Sequence, residues 1–346
     1  MTTEIAIIGD RFMLSKTFEE HILAVCGDKV SVRRMDYEWP DAPLEQGYGG
    51  SRIEGIQEFQ GDPEEVVAHI GAAKIAVLHH APLSAKMMEV LPDLKLVAVS
   101  RGGPINIDMN AARARGITVV NTPGRNASAV AEFTIGGIIA ELRNLARGHE
   151  ALRAGEYRTD LYRADVTGDE LCDMTVGVIG YGQIGKRVVS LLRAFGCRIK
   201  VSDPYVQLTA EDLHAGVEMV SFERLLSEAD IVSLHPRVTE ETKGMMNADA
   251  FAAMKPGSTL INTARGPLVD YDALIAALQS GHLRGAMLET FPIEPVPEDS
   301  PLLTLPNVTL TPHIAGASLR TVRVAASKAA DEVRRWLDGE PPLNPC

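Results

Sequence analysis

Residues 174–195 constrain this chain more than any other stretch. An apolar run, Met174-Thr-Val-Gly-Val-Ile179, leads directly into Gly180-Tyr-Gly182-Gln183-Ile184-Gly185, and apolar residues then recur at Ile184, Val188, Leu191 and Phe195. That is a buried strand, a glycine turn and a helix over 184–195 with one apolar face, the order a βαβ unit requires. Gly180 permits the tight turn, Gly182 lets a ligand approach the backbone, and Gly185 lets helix and strand pack closely. Free N–H groups at the helix start then face an anion, reinforced by the helix dipole. A second strand, Arg198–Ser202, ends at Asp203, 18 residues past Gly185. A carboxylate there accepts hydrogen bonds from an adenosine ribose and repels a 2′-phosphate. Residues 204–217 hold no Arg or Lys to offset that repulsion. The segment predicts a dinucleotide site that takes NAD rather than NADP.

The rest of the chain repeats the strand–helix alternation, which predicts an α/β fold built on parallel sheets. Strands are expected at Glu4–Ile8, Ala76–His79, Leu96–Ser100, Ile231–His235, Thr259–Thr263, Gly285–Leu288 and Val308–Thr311. Helices are expected at Pro63–Ile70, at Ser84–Leu91, and over Leu319–Asp338. One long helix is expected from Ala127 to Ala154, stopped by Gly155. Its first half is apolar almost all round, so it must be covered on every side, within the chain or at a subunit interface. A domain boundary is placed near Thr122 for that reason, and 346 residues suit two domains. The stretch Trp39–Gln60, rich in Gly and Pro, reads as a long loop in which Tyr48 and Arg52 are candidate ligand contacts.

Composition then removes whole classes of function. Lys plus Arg number 34 against 46 Asp plus Glu, a net charge of 34 − 46 = −12, which opposes nucleic-acid or anionic-membrane partners. Glu132 and Glu141 interrupt the most apolar stretch, so no segment reads as a membrane span. Cys26, Cys172, Cys197 and Cys346 show no paired short spacing, which argues against a zinc knuckle or a CxxC redox site. The N-terminus has no basic leader, and a reducing, cytoplasmic setting is expected.

Three further segments place polar residues just past an apolar strand, the ligand-facing end of an open α/β sheet. They are Ser258-Thr-Leu-Ile-Asn-Thr263-Ala264-Arg265-Gly, Gly285-Ala-Met-Leu-Glu289-Thr-Phe-Pro-Ile-Glu294-Pro, and Asn307-Val-Thr-Leu-Thr-Pro-His313-Ile-Ala-Gly316. An arginine so placed can grip a carboxylate with two parallel hydrogen bonds. With Asn121-Thr-Pro-Gly, Ala131-Glu-Phe-Thr and the glycine loop, they make the chain from about Leu96 onward resemble the D-isomer-specific 2-hydroxyacid dehydrogenases. The resemblance implies two Rossmann-like, doubly wound domains. Residues 1–121 plus 316–346 would form a discontinuous, flavodoxin-like substrate domain and 122–315 the NAD-binding domain. It implies a catalytic Arg265, Glu294 and His313. Arg265 binds the substrate carboxylate, His313 exchanges a proton with the substrate oxygen, and Glu294 orients the imidazole and favours its protonated form. Hydride moves directly between nicotinamide and substrate, with no metal.

By the same resemblance, Gln183, Ile184, His235, Pro236, Thr242, Thr263, Ala264, Glu289 and Gly316 border the cofactor together with the glycine loop, Asp203, Arg265 and His313. Gly102 and Gly103 offer backbone N–H groups to the substrate carboxylate, and a homodimer through the Ala127 helix is implied. The chain departs from the family at Glu289, where Asp is usual, and at Ser100-Arg-Gly-Gly-Pro-Ile-Asn106, about two residues short with a proline in the loop. It departs again at His235-Pro-Arg237, where proline stands one position early. The substrate is therefore left open among small 2-hydroxy acids, phosphorylated and sugar-derived ones included. A formate- or phosphite-oxidising relative and an NAD-sensing, corepressor-like protein are the alternatives. Glu294 speaks against formate, because those relatives carry Gln beside the histidine. The chain's end just after Asn344 is expected to leave no room for the regulatory domain of longer phosphoglycerate dehydrogenases.

Overall fold

The computed structural model describes residues 2–39, 46–47 and 53–346, so Tyr48 and Arg52 lie outside the described residues. The chain forms two compact units, Met1–Asn126 with Ala317–Cys346, and Ala127–Gly316.

In the first unit, β1 (Thr3–Asp10), β2 (Val30–Tyr37), β4 (Ile75–Leu78), β5 (Leu96–Val99) and β6 (Thr118–Asn121) form one parallel sheet in the order β2-β1-β4-β5-β6. Two-residue strands β3 (Gln46–Gly47) and β13 (Ile293–Glu294) belong to neither large sheet. Alternate side chains divide the core between the sheet's two faces. Ile5, Ile7, Val77 and Ala98 pack with Phe18 and Ile22 of the helix Ser15–Cys26, and with Ala326, Ala329 and Val333 of the helix Leu319–Leu337. Ala6, Ile8, Leu78 and Val99 pack with Val66, Ile70, Met87 and Met88 on the other face. The C-terminal helix thus closes the N-terminal sheet, which is why this unit is discontinuous. β2 escapes the sequence reading because it is an edge strand, Val-Ser-Val-Arg-Arg-Met-Asp-Tyr, with a polar, half-exposed pattern.

The second unit holds β7 (Thr175–Ile179), β8 (Arg198–Ser202), β9 (Glu218–Met219), β10 (Ile231–Leu234), β11 (Ser258–Asn262), β12 (Leu283–Leu288) and β14 (Val308–Leu310). All are parallel, in the order β14-β12-β11-β10-β7-β8-β9. The order reverses between β7 and β10, the point at which open α/β sheets bind ligands beyond their carboxyl ends. Each face carries an apolar core, one around Leu234, Leu260 and Phe251, the other around Val178, Val188 and Ile138.

One expectation is corrected. The helix from Ala127 ends at Leu142, and a second runs Leu145–Arg153. Asn144 breaks them apart with a left-handed backbone (φ +54°), a conformation Asn tolerates better than most residues, and its Nδ2 donates to the Val166 carbonyl. The break lets Arg147 turn back onto the buried carboxylate of Glu141. Within the chain the first helix leaves Glu132 and Gly136 exposed and Ser128, Phe133 and Ile139 half-buried. The seam between units falls a few residues past Thr122. Thr122 donates its N–H to the Arg101 carbonyl, and Lys328 Nζ donates to the Pro123 carbonyl, so both stay with the first unit. Among the described residues no helix is long and apolar enough to cross a membrane.

Candidate active site

The carboxyl edge of the second sheet collects nearly all the predicted positions. Read across it, β14 leads to His313, β12 to Glu289 and Glu294, β11 to Arg265, β10 to His235, β7 to the glycine loop and β8 to Asp203.

The glycine loop is built as its three positions demand. Gly180 has φ +88°, and a side chain there would strike the His235–Pro236 backbone. A side chain on Gly185 would collide with the Gly180 carbonyl, whereas one on Gly182 meets nothing within 4 Å. Gly182 caps the helix Gln183–Arg193 without any side-chain bond, so the first amides of that helix have no internal acceptor. Asp203 is oriented by the loop it faces: one carboxylate oxygen accepts from the Tyr181 N–H at 2.7 Å, the other from the Tyr205 N–H at 2.9 Å. Tyr205 in turn donates its hydroxyl to Glu241, adding a second acid near this end of the site. A pocket of about 700 Å³ flanks the loop, lined by Gly182, Gln183, Lys186, Arg187 and Glu132 among others. None of Asp203, Arg265 or His313 lines it, so it is not where a hydride could be exchanged.

Arg265 follows β11 in a turn held from beneath. The buried Asn262 donates from Nδ2 to the Arg265 carbonyl at 3.0 Å and accepts from the Ala264 N–H at 3.1 Å. Gly266 lets the turn press against the Phe291 backbone. The Arg265 side chain stands exposed, bonded only to the Ala264 carbonyl, with no carboxylate partner among the described residues. Asn262 is a positioning residue that sequence reasoning passed over. Its signal was present: an amide closing an otherwise buried strand one turn before the arginine.

His313 has φ +55°, the left-handed region, and its N–H bonds back to the Glu289 carbonyl at 3.1 Å. Its Nδ1 donates to Glu294 Oε2 at 2.7 Å, and Glu294 Oε1 accepts from the Phe291 N–H at 2.8 Å. The imidazole is 25% exposed and Glu294 only 8%, so the ring is held from behind while Nε2 has no partner among the described residues. A carboxylate accepts only, which puts the Nδ1 proton on the imidazole and leaves Nε2 as the exchanging nitrogen.

The remaining positions divide. Glu289, the expected nicotinamide contact, is fully buried; one oxygen accepts from the Thr311 hydroxyl and the other from the Ala315 N–H at 2.6 Å. Burial pushes its pKa up while those bonds pull it down. It clamps both flanks of His313, in a turn that ends at Gly316. Thr263 pairs its hydroxyl with Thr134 at 2.7 Å inside the unit, which ties β11 to the Ala127–Leu142 helix. Thr242 donates to the Arg237 carbonyl at 2.6 Å and closes a local loop. His235 bonds Ser233 through Nε2, and burial pushes its pKa down to about 3, so it is neutral. Gly102 and Gly103 belong to the first unit, in the loop after β5, with open space where side chains would be.

Comparisons with known proteins point one way. Residues 135–315 match the family model described as D-isomer specific 2-hydroxyacid dehydrogenase, NAD binding domain. YoaD of Bacillus subtilis is 41% identical over 257 residues, 73% of each chain. A D-3-phosphoglycerate dehydrogenase of Mycobacterium leprae is 35% identical over 341 residues, 98% of this chain; this chain spans only 58% of that relative's length. Among solved structures, the TT0316 protein of Thermus thermophilus superposes with a TM-score of 0.76 at 31% identity, covering 99% of both chains.

Proposed function

This chain belongs to the D-isomer specific 2-hydroxyacid dehydrogenase family, and on that premise we propose that it moves a hydride between NAD and C2 of a small D-2-hydroxy acid or its 2-oxo partner. The observation that carries the reading is the His313–Glu294 pair, which leaves one imidazole nitrogen without a partner among the described residues, at the strand ends that also present Arg265 with no carboxylate partner among them. The dinucleotide fits the chain as built: Gly182 leaves room for a pyrophosphate, and the uncapped helix start supplies amides to it. Asp203, with Glu241 close by, favours a free ribose diol over a 2′-phosphate.

Bound there, the nicotinamide supplies or accepts the hydride. Arg265 holds the substrate carboxylate with parallel N–H···O bonds and polarises the neighbouring carbonyl. His313 Nε2 gives a proton to the carbonyl oxygen during reduction and takes it back during oxidation. Glu294 fixes the ring, Glu289 fixes the turn, and Asn262 fixes the arginine. Gly102 and Gly103 are assigned to the substrate carboxylate as backbone donors. A homodimer is part of the same reading: the exposed edge at Glu132 and Gly136, on a helix otherwise apolar, suits burial against a second copy. Four free cysteines suit a reducing, cytoplasmic compartment.

The test is NADH and NADPH oxidation against glyoxylate, pyruvate, hydroxypyruvate and phosphohydroxypyruvate. Turnover with NADH and at least one acid is expected. Tight NADH binding with no turnover of any 2-oxo acid would shift the reading to an NAD-sensing protein, and a preference for NADPH would overturn the role given to Asp203.

A further inference from the structure

The first unit carries a charged cluster to which the dehydrogenase reading gives no task. Its sheet reverses direction between β1 and β4, and a ligand crevice forms beyond the strand ends at such a point. Asp10 ends β1, and His79 and His80 directly follow β4. Asp10 Oδ1 accepts from the Phe12 and Met13 N–H groups at 2.9 and 2.8 Å. Its Oδ2 accepts from His79 Nδ1 and lies 3.4 Å from His80 Nδ1, and the two rings lie 3.8 Å apart. From beyond the ends of β5 and β6 come Arg101, paired with Glu58, and Arg125.

Arg125 is the anomaly. Its Nε and Nη1 are buried with no hydrogen-bond partner among the described residues. Burial and the charge of Arg101 push its pKa down to about 10, against a smaller opposing effect of Asp10. A buried guanidinium without hydrogen-bond partners is among the more costly arrangements a fold can hold.

Two ligand chemistries compete for the cluster. One carboxylate and two imidazoles whose ligand atoms all lie within 4.8 Å of one another are the donor types for a divalent cation. Against that stands the local charge. Burial pushes both imidazoles towards the neutral form and outweighs the opposing pull of Asp10, while Arg125 on His79 and both arginines on His80 push the same way as burial. A divalent cation there would add two positive charges beside Arg125, with the already-bonded Asp10 as the carboxylate that faces them. Asp10 is already occupied by two amides and His79 Nδ1, so of the charged side chains in the cluster it is Arg125 whose polar atoms lack a partner among the described residues. We propose that Arg125 binds a compact oxyanion, a phosphate monoester or a carboxylate, in this crevice of the first unit, against the stacked His79 and His80 rings. The oxyanion is either a second anionic group on the 2-oxo acid, which rests on the dehydrogenase reading, or a free anion, which does not.

The decisive experiment is calorimetric titration of inorganic phosphate into the enzyme saturated with NADH, so that the glycine loop is already filled. One saturable site is expected, weakened about tenfold or more by Arg125→Gln and less by Arg125→Lys. KM values then separate the sources. If the anion rides on substrate, Arg125→Gln raises KM for phosphohydroxypyruvate about tenfold more than KM for hydroxypyruvate; equal effects with phosphate binding lost assign the site to a free anion. Absence of saturable phosphate binding in the unmodified enzyme, with an unchanged KM ratio in Arg125→Gln, overturns the proposal. So does uptake of one Zn²⁺ per chain that His79→Asn abolishes, without phosphate binding. Should Arg125→Gln fail to fold, the unmodified enzyme and Arg125→Lys decide, since undiminished phosphate affinity in the lysine variant removes the planar guanidinium from the site. Failure to turn over any acid sinks the dehydrogenase reading and leaves the phosphate titration intact.

Discussion

The two units present the same architectural opening and treat it in opposite ways. Each sheet reverses direction beside its first strand, and in each the second strand ends near an acid, Asp36 in one and Asp203 in the other. In the first unit Asp36 turns onto the start of the helix Ser15–Cys26, where its oxygens accept from the Ser15 N–H at 2.6 Å and the Ser15 hydroxyl at 2.7 Å. Arg11, Phe12 and Met13 fill the turn, and Met13 is fully buried. The anion position at that helix start is taken by the protein's own carboxylate. In the second unit Gly182 offers no cap, and Asp203 accepts from the N–H groups of Tyr181 and Tyr205. A helix start needs an acceptor; where the chain withholds one, a ligand can supply it. Shared topology therefore says little about where a dinucleotide binds, and the turn chemistry says a great deal.

The largest expected effect tests whether proton transfer belongs to the second unit alone. Each unit has a histidine whose Nδ1 is bonded to a carboxylate, His79 with Asp10 and His313 with Glu294, but His79 is only 2% exposed. Changing His313 to Gln should lower kcat by about 10²- to 10⁴-fold while the NADH dissociation constant moves little. Stopped-flow turnover and fluorescence titration check both halves. An unchanged kcat would remove His313 from the chemistry and break the comparison at its centre.

Next in size is a pair of glycine variants. Gly182→Val enters open space and should leave the melting temperature nearly unchanged, yet weaken NADH binding by about tenfold or more because the pyrophosphate loses its approach. Gly9→Ala should do the reverse. Its new methyl meets the Met13 carbonyl and the Ser15 amide, so stability should fall by about 1–3 kcal/mol with NADH affinity retained. Equal losses of binding in both variants would mean that the two turns are not functionally distinct. Asp203→Ser should then shift the NAD to NADP preference by roughly tenfold, about 1.4 kcal/mol, read from kcat/KM with each cofactor.

What could be read from the sequence was local. The glycine loop, Asp203 and the Arg265, Glu294 and His313 segments each declare themselves within a dozen residues, because strand, turn and polar residue are contiguous. What escaped depends on partners far along the chain. Asp10 and His79 are 69 residues apart, and nothing in either segment announces the bond. Arg125 looks like a turn residue until its burial is known. Glu289 is legible as an acid at a strand end, but its two oxygens are directed by Thr311 and Ala315, which only the fold brings back to it. The break at Asn144 goes unmarked because Leu142, Leu145 and Ala146 keep apolar residues at helical spacing across it.

Acid stability gives a smaller effect that both units share. Burial lowers the pKa of His235 from 6.5 to about 3 and lowers those of His79 and His80 as well. The unfolded chain therefore takes up these protons before the folded one does, so stability falls as pH drops below 6.5, approaching about 1.4 kcal/mol per pH unit for His235 between its unfolded value and about 3. For the protein without cofactor, His235→Asn should flatten the loss of melting temperature between pH 6.5 and 5. A slope identical to that of the unmodified protein would mean His235 already takes a proton when folded.

The smallest effect is also the most direct on the comparison. Replacing Asp36 with Ala uncaps the helix Ser15–Cys26 and should cost about 0.5–2 kcal/mol, a few degrees of melting temperature in a unit of this size. It should not create a second dinucleotide site, because Arg11, Phe12 and Met13 still occupy the turn and Gly9 has no glycine partners to open it. NADH binding measured by titration calorimetry should keep a stoichiometry of one per chain with unchanged affinity. A second equivalent of bound NADH would mean the capping carboxylate alone had kept the first unit closed, and the packed side chains behind it would lose the role assigned to them. Loss of the first equivalent would mean instead that Asp36 acts on the glycine loop, and the contrast between an internally capped helix and a ligand-capped one would no longer hold.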